Sequence, residues 1–351
     1  MFKIPEKLIR LIKACYNNSR SCVRIGGEIT DFFGVETGLR QGCPLSCMLF
    51  NITLEWVMRN TPRVQDEVGF LNGASCDKLA YADDADLMGV TYLGRDEQLE
   101  GFNGTGSRVG LEVSEGKTKA MKMSREERTE DYIELGGFLL EEVDSFRYLG
   151  SIIRSDNAME QEIAERISSA SKCSWSLNSL LRSKLLTRTT KIQLYTTIIR
   201  PVLTYASETW TLTKELERRL LVFERSVLRR ILGPVIDEAT GEWRIRHNAE
   251  LLELTRLAPI TSFVRAQRLR WAGHLARMDP NCLLRRVFDG TPEGRRPRGR
   301  PRLRWSDCVR SDLEQLGVEN PRNWTALAQD RRRWRLLVQA AKDQIGPPLA
   351  E

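Results

Sequence analysis

The sequence predicts an α+β fold: helices mixed with a short antiparallel sheet, then an all-helical region, then a basic and mostly helical C-terminal region. Three observations carry this. Up to about residue 153, short alternating apolar runs are set between glycine-bearing turns. From residue 157 onward, apolar residues recur at three- and four-residue spacing. The overall charge of +7 is also unevenly divided: residues 1–150 hold 18 Lys and Arg against 24 Asp and Glu, net −6, whereas residues 151–351 hold 36 against 23, net +13. The expected divisions are therefore 1–150, 151–235 and 236–351.

At 351 residues and 41% apolar content, the chain is long and apolar enough for two or three packed domains. It has no apolar run that could span a bilayer, and Met1–Tyr16 mixes charge with Leu and Ile in helical spacing, unlike a cleavable signal. The expectation is an intracellular protein, nuclear or cytoplasmic, not secreted and not membrane-bound. The eight cysteines lack paired C-x-x-C spacing, which argues against a disulfide framework or a zinc ribbon. Cys43 and Cys47 lie four apart, and with only His247 and His274 in the chain they read as buried thiols.

Taken in order, residues 5–16 predict a helix started by Pro5, and residues 21–36 a hairpin around Gly26-Gly27. A glycine-bearing loop, Thr37 to Ser46, then runs into a helix with Pro44 in its first turn. Leu45, Met48, Leu49, Ile52 and Trp56 mark that helix, and Thr61-Pro62 ends it. Backbone N–H groups at such a start favour phosphate; Gly38 and Gly42 permit close approach, and Arg40 and Gln41 offer charge and amide contacts. An ordinary loop-to-helix junction explains the same residues equally well.

Tyr81-Ala82-Asp83-Asp84 follows an apolar run and precedes Ala85, Asp86 and Leu87, which reads as two short strands around an acidic turn. Two carboxylates at an exposed tip can hold Mg2+, which takes hard oxygen ligands through one or two carboxylates plus substrate phosphates. Asp-rich turns are also common for purely local backbone reasons. Next come a Gly-rich bend from residue 101, Lys117 and Lys119 in a turn, a strand-like run from Ala120 to Met123, and short strands over 130–153. Lys117 and Lys119 read as phosphate contacts or as solvated charge.

The helical part is expected as one stripe from Ile163 to Leu181, a second helix over 188–200 stopped near Pro201, and a third from Leu216 to Ile231 closed by Gly233-Pro234. The outer faces carry Arg218, Arg219, Arg225, Arg229 and Arg230, suited to a nucleic-acid backbone or to solvent. Further on, Arg265, Arg268, Arg270 and Arg277 surround Trp271-Ala272-Gly273-His274. Arg295, Arg296, Arg298, Arg300, Arg302 and Arg304 then fall within ten residues without an acid. Their Arg-Gly-Arg core between prolines resembles an AT-hook, though an Arg-rich loop binding phosphates without sequence preference describes it better.

In order and spacing, these pieces resemble the reverse transcriptase of LINE-type (non-LTR) retrotransposons. Gly38-Leu39-Arg40-Gln41-Gly42-Cys43-Pro44-Leu45-Ser46 with Leu49-Phe50-Asn51 looks like the loop and helix that position nucleotide and template in that family. Tyr81-Ala82-Asp83-Asp84 looks like its metal-binding turn, Gly110 to Val113 with Lys117-Thr118-Lys119 like the motif after it, and Phe146 to Gly150 like the approach to the thumb. The basic run up to Trp305 is similar to the tails of such elements, so the resemblance covers nearly the whole chain.

The resemblance implies a partial polymerase palm over 1–150, a helical thumb over 151–235 and a nucleic-acid-binding region over 236–351. It also implies addition of deoxynucleoside triphosphates to a DNA primer on an RNA template, with two Mg2+ ions. Asp83 would be the stronger metal ligand and Asp84 a supporting one. Ala82 would leave room for the primer end, Arg40, Gln41 and Gly42 would position nucleotide and template, and Lys117 would assist the pyrophosphate. The family carries a further Asp on a strand upstream of the segment that looks like Ile4 to Leu8, and fingers before it. The expectation is therefore that residues 1–351 alone have little polymerase activity. The competing expectation is a non-catalytic RNA- or DNA-binding protein that uses the basic C-terminal half.

Overall fold

The computed structural model describes residues 2–64, 68–69, 73, 75–123, 130–290 and 303–343. Arg295, Arg296, Arg298, Arg300 and Arg302 lie outside the described residues. The chain divides into two compact units, residues 1–66 with 77–113, and residues 67–76 with 114–351.

In the first unit, α1 (Glu6–Tyr16) starts after an extended Pro5. Four two-residue strands follow, β1 (Arg20–Ser21), β2 (Arg24–Ile25), β3 (Glu28–Ile29) and β4 (Phe33–Gly34). β2 and β3 pair antiparallel around Gly26-Gly27, and β1 and β4 pair outside them, Arg20 opposite Gly34, so the expected hairpin is present as two nested ladders. α2 (Pro44–Asn60) carries its proline at the first position, where the missing N–H and the fixed φ suit a helix start. It ends where the Thr61 N–H and hydroxyl both donate to the Val57 carbonyl, each at 2.8 Å.

The short strands β5 (Val68–Gly69) and β6 (Ser75–Cys76) pair within the second unit. Back in the first, β7 (Lys78–Tyr81) and β8 (Asp84–Leu87) form the acidic hairpin, and α3 (Tyr92–Ser107) follows. The expectation of a bend from residue 101 is corrected here, because the helix continues through Gly101, Gly104 and Gly106 to Ser107. Each glycine costs about 1 kcal/mol in a helix. Opposing that, the Thr91 hydroxyl accepts the Gly94 N–H as an N-cap, and Gln98 and Leu99 are buried. Packing thus overrides propensity.

From residue 114 the second unit continues with a three-stranded sheet in the order β10 (Tyr132–Leu135), β11 (Phe138–Glu142), β9 (Lys119–Ala120), in which only the β11–β9 pair is parallel. The hairpin β12 (Ser145–Tyr148) and β13 (Ser151–Arg154) turns through Leu149 and Gly150, both at positive φ, the requirement of a tight two-residue turn. Helices follow: α4 (Glu160–Ser176), α5 (Asn178–Arg182), α6 (Arg188–Leu194), a π turn over Tyr195–Ile199, α7 (Arg200–Leu203) and α8 (Lys214–Leu232). Pro201 does not stop the second of the expected helices. It stands in the first turn of α7, and the wider π turn before it accommodates the absent N–H. α8 closes at Gly233, φ 72°, as its sequence predicts.

After the pair β14 (Val235–Ile236) and β15 (Trp243–Arg244) come α9 (Asn248–Thr255), α10 (Ile260–Ala276), α11 (Leu283–Asp289), α12 (Trp305–Gln315), α13 (Trp324–Leu327) and α14 (Arg331–Asp343). Two apolar clusters hold these helices: one around Ile163, Tyr195, Trp210 and Leu220, the other around Leu269, Val309, Trp324 and Trp334.

Two of the arginines read as outward-facing, Arg229 and Arg230, make contacts within the fold, as do Arg265 and Arg268. Arg229 donates to the Arg246 carbonyl and to Asn248 Oδ1, and Arg230 to Ser174 Oγ while stacking 4.7 Å from the Trp175 ring centroid. Arg268 is buried 2.6 Å from Asp312, with Arg265 at 3.3 Å from the same carboxylate. Helices with small, mostly antiparallel sheets are compatible with the predicted α+β class. Among the described residues, no helix is long and apolar enough to cross a membrane.

Candidate active site

The acidic hairpin is built by an unbroken antiparallel register. Its register pairs Lys78 with Leu87, Leu79 with Asp86, Ala80 with Ala85 and Tyr81 with Asp84, leaving Ala82 and Asp83 as a two-residue connection. Ala82 has φ 52°, a left-handed conformation that costs an L-residue about 1–2 kcal/mol. An alanine here keeps the turn tight with the smallest possible side chain. Asp83 and Asp84 are exposed at its tip, and among the described residues neither carboxylate has a hydrogen-bond or ion-pair partner.

Behind the tip the hairpin is anchored to α3. Arg95 donates to the carbonyls of Leu87 and Gly89, and buried Gln98 donates to the Asp77 carbonyl at 3.1 Å. Asp86, two residues beyond Asp84 on the same face of β8, is half-buried, and its burial pushes the carboxyl above the usual carboxylate range against the opposing pull of Arg95. Arg95, Gln98 and Asp86, the third carboxylate of this hairpin, are the residues that sequence reasoning did not assign. Their signal was a pair of polar residues three apart on a helix that was itself missed.

The loop before α2 is equally well held. Ser46 Oγ donates to the Arg40 carbonyl at 2.6 Å and lies 3.2 Å from the Tyr16 hydroxyl. The Arg40 guanidinium donates to the Cys15 carbonyl (2.8 Å) and Ser19 Oγ (2.7 Å), and sits 5.5 Å from the Tyr16 ring centroid. Arg40 thus ties the loop to α1 with part of its fork, while Gln41 is exposed. Gly42, at φ 85°, takes a backbone conformation that other residues rarely adopt just before the helix start. Cys43 caps α2, and the Leu45 backbone N–H holds its thiol below the ordinary value. The buried-thiol expectation fails for this pair: Cys43 is half-buried and Cys47 exposed, and Cys308 is the one buried cysteine of the eight.

The structure therefore groups Ala82, Asp83 and Asp84 on one hairpin and Arg40, Gln41 and Gly42 on one loop. Lys117 belongs to the second unit, where it is exposed in a turn closed by its own N–H on the Ser114 carbonyl. Its neighbour Lys119 is engaged with Glu141 at 2.5 Å, so of the two lysines only Lys117 is available to a ligand. Arg304 is described, exposed and at the N-cap of α12.

Among the described residues, no group of three or more His, Cys, Asp or Glu is arranged to hold a metal ion. The hairpin offers two unengaged hard carboxylates, which fits Mg2+ as a partial ligand set completed by water or phosphate oxygens and does not fit a closed, all-protein cage. Without a cation the two carboxylates repel a phosphate; only with a divalent ion bound does the tip draw phosphate oxygens towards it.

The family model of reverse transcriptases (RNA-dependent DNA polymerases) matches residues 1–153. A transposon-derived protein of Caenorhabditis elegans is 26% identical over 274 residues, 77% of this chain and 97% of that protein. The retrovirus-related Pol polyprotein from the type-1 retrotransposable element R2 of Nasonia vitripennis is 27% identical over 177 residues, 46% of this chain and 16% of the polyprotein. Its counterpart from Bradysia coprophila is 27% identical over 120 residues, 34% of this chain and 13% of the polyprotein. The chain thus spans only a small part of those polyproteins. With its acidic hairpin inside the matched region, the chain carries a reverse transcriptase domain of the LINE type and derives from a non-LTR retrotransposon.

Proposed function

We propose that Asp83 and Asp84 are the metal-holding carboxylates of RNA-templated DNA synthesis, in a palm formed by residues 1–150, with a thumb over 151–235 and a nucleic-acid-binding region over 236–351. The observation that carries this is the pair of unpartnered, exposed carboxylates at a strained hairpin tip inside the region matched by the reverse transcriptase model. Mg2+ bound there supplies Lewis acidity for transfer of a deoxynucleotide to a primer 3′ hydroxyl. Asp83, on the two-residue connection, is the principal ligand, and Asp84, the first residue of β8, supports it. Ala82 leaves the primer end unobstructed because it carries only a methyl group.

Arg40, Gln41 and Gly42 position the incoming nucleotide and the template base. Arg40 is suited to this because its anchoring bonds to Cys15 and Ser19 are made through one nitrogen, leaving other guanidinium donors for phosphate. Lys117 adds an exposed positive charge for the leaving pyrophosphate. The RNA template and DNA primer lie along arginines of the C-terminal region, Arg304 and the run Arg295, Arg296, Arg298, Arg300 and Arg302, through phosphate contacts.

Titration of the full chain with Mn2+, read as paramagnetic broadening of backbone amide resonances, tests the metal site. Broadening centred on residues 81–86 that vanishes in Asp83→Asn is the expected result. Broadening spread over the acidic surface, or unchanged by that substitution, overturns it. A second reading, nucleic-acid binding without catalysis, is favoured by the net charge of +13 over residues 151–351. It predicts salt-sensitive RNA or DNA binding that is indifferent to Asp83→Asn.

A further inference from the structure

The Trp271-Ala272-Gly273-His274 motif is explained by what it packs against. Ala272 and Gly273 are buried where α10 meets α14, and Trp334 donates its indole N–H to the Leu269 carbonyl at 2.8 Å. A Cβ built at Gly273 would overlap Trp334 Nε1, so glycine alone permits this approach. Beside the contact, α10 and α14 flank a solvent-open cavity of about 590 Å3 with Trp334 as one wall.

The charge of that cavity is one-sided. Arg270, His274 and Arg277 line it from α10 and its C-cap, Arg331 and Arg335 line it from α14, and no Asp or Glu is among its lining residues. Arg277 donates to the Ala328 carbonyl at 2.7 Å. Arg270, Arg331 and Arg335 are exposed and have no hydrogen-bond or ion-pair partner among the described residues. This contrasts with Arg265 and Arg268 on the same helix, which share Asp312. The acid nearest in sequence, Asp330, is occupied: its Oδ1 accepts the N–H groups of Arg332 and Arg333 and caps α14. The helix start is therefore already satisfied, and a ligand would be held by side chains. Burial and the like charge of Arg331 both disfavour the charged form of Arg277, a cost that an anion would relieve.

We propose that the cavity between α10 and α14 is a phosphate-binding site that seats a backbone phosphodiester of a polynucleotide on Arg270, Arg277, Arg331 and Arg335. Guanidinium groups converging from two helices match the oxygens of a phosphate by paired N–H donors, and His274 adds an imidazole edge. The site uses neither Asp83 nor Asp84 nor any arginine of the 295–304 run; it rests on the nucleic-acid reading of the C-terminal region and ties that reading to named residues.

The test is binding of a fluorescein-labelled oligouridylate without terminal phosphates to the full chain, measured by anisotropy in EDTA, so that failure of the metal site cannot affect it. The double variant Arg331→Gln, Arg335→Gln is expected to weaken binding at least about tenfold, as for the removal of charge-assisted hydrogen bonds. It should also flatten the slope of log affinity against log salt by about 0.7 for each phosphate that is no longer neutralised. Arg270→Gln, on the facing helix, is expected to act in the same direction. The double variant Arg332→Gln, Arg333→Gln removes the same charge from the same turn without touching the cavity, and should bind close to the parent. Equal weakening by both double variants would mean diffuse electrostatics, and no weakening by the cavity variants would mean no site; either overturns the proposal.

Discussion

The acidic hairpin and the helical unit use the same kinds of charged residue in opposite ways. In the helical unit, Glu162, Glu224 and Asp312 are only 2%, 3% and 5% exposed, and each meets an arginine within 2.6–2.8 Å. Glu224 also accepts the Tyr195 hydroxyl and the Ile260 N–H, so its lone pairs are well used. At the hairpin tip, Asp83 and Asp84 stand in solvent without partners among the described residues. The difference follows from solvation. A buried carboxylate must be paired because water cannot reach it, whereas an exposed one can stay free and available to a cation. These three buried carboxylates therefore have the arginine partners that burial makes obligatory, whereas the tip is left open.

The comparison is broken most severely at its buried end. Glu224→Ala strands Arg200, buried between the Tyr195 and Phe263 rings, and removes the acceptor for Tyr195 and Ile260. A loss of about 3–5 kcal/mol is expected in denaturant unfolding of the helical unit; a loss below about 1 kcal/mol would mean that the buried pair adds little to the fold. Asp86 stands between the extremes, half-buried and only partly compensated by Arg95. Its folded pKa lies above the unfolded one, so its contribution to stability is fully present below the unfolded value and is lost as pH rises through the folded value. Asp86→Asn should therefore stabilise the hairpin at neutral pH and flatten this part of its pH dependence, as read by hydrogen exchange of the hairpin amides from the acid range to neutrality. Destabilisation at neutral pH would show that the Arg95 attraction outweighs burial.

How much of this was legible in the sequence depended on how local the cause was. Pro44 at a helix start, Gly233 at a helix end and the acidic turn between two short strands at Ala82-Asp83 act within a few residues, and each element stands where its residues imply. The course of α3 through Gly101, Gly104 and Gly106 was not legible, because the stabilising burial of Gln98 and Leu99 is tertiary. Pro201 misled for the same reason: it marks a first turn, and the π turn that accommodates it has no local signature. Arginine roles were the least legible. Arg268 and Arg270 stand two apart on α10, yet one is buried against Asp312 and the other is exposed at the cavity. Spacing on one helix places them on different faces but cannot say what each face meets.

The smallest expected effect on stability falls on the residues that matter most to the proposed chemistry. Asp83→Asn with Asp84→Asn removes two charges from a turn where nothing in the described fold answers them, so no hydrogen bond or ion pair among the described residues is broken. The change in unfolding free energy should stay within about 0.5 kcal/mol. Its sign should be stabilising at low ionic strength, because two adjacent like charges are relieved, and it should shrink as salt is added. The same double variant should abolish the hairpin's response to Mn2+. A destabilisation that persisted in high salt would mean that the carboxylates hold the turn itself, through backbone contacts of the kind Asp makes in ordinary turns. The hairpin would then belong with the helical unit, as a place where charge serves the fold.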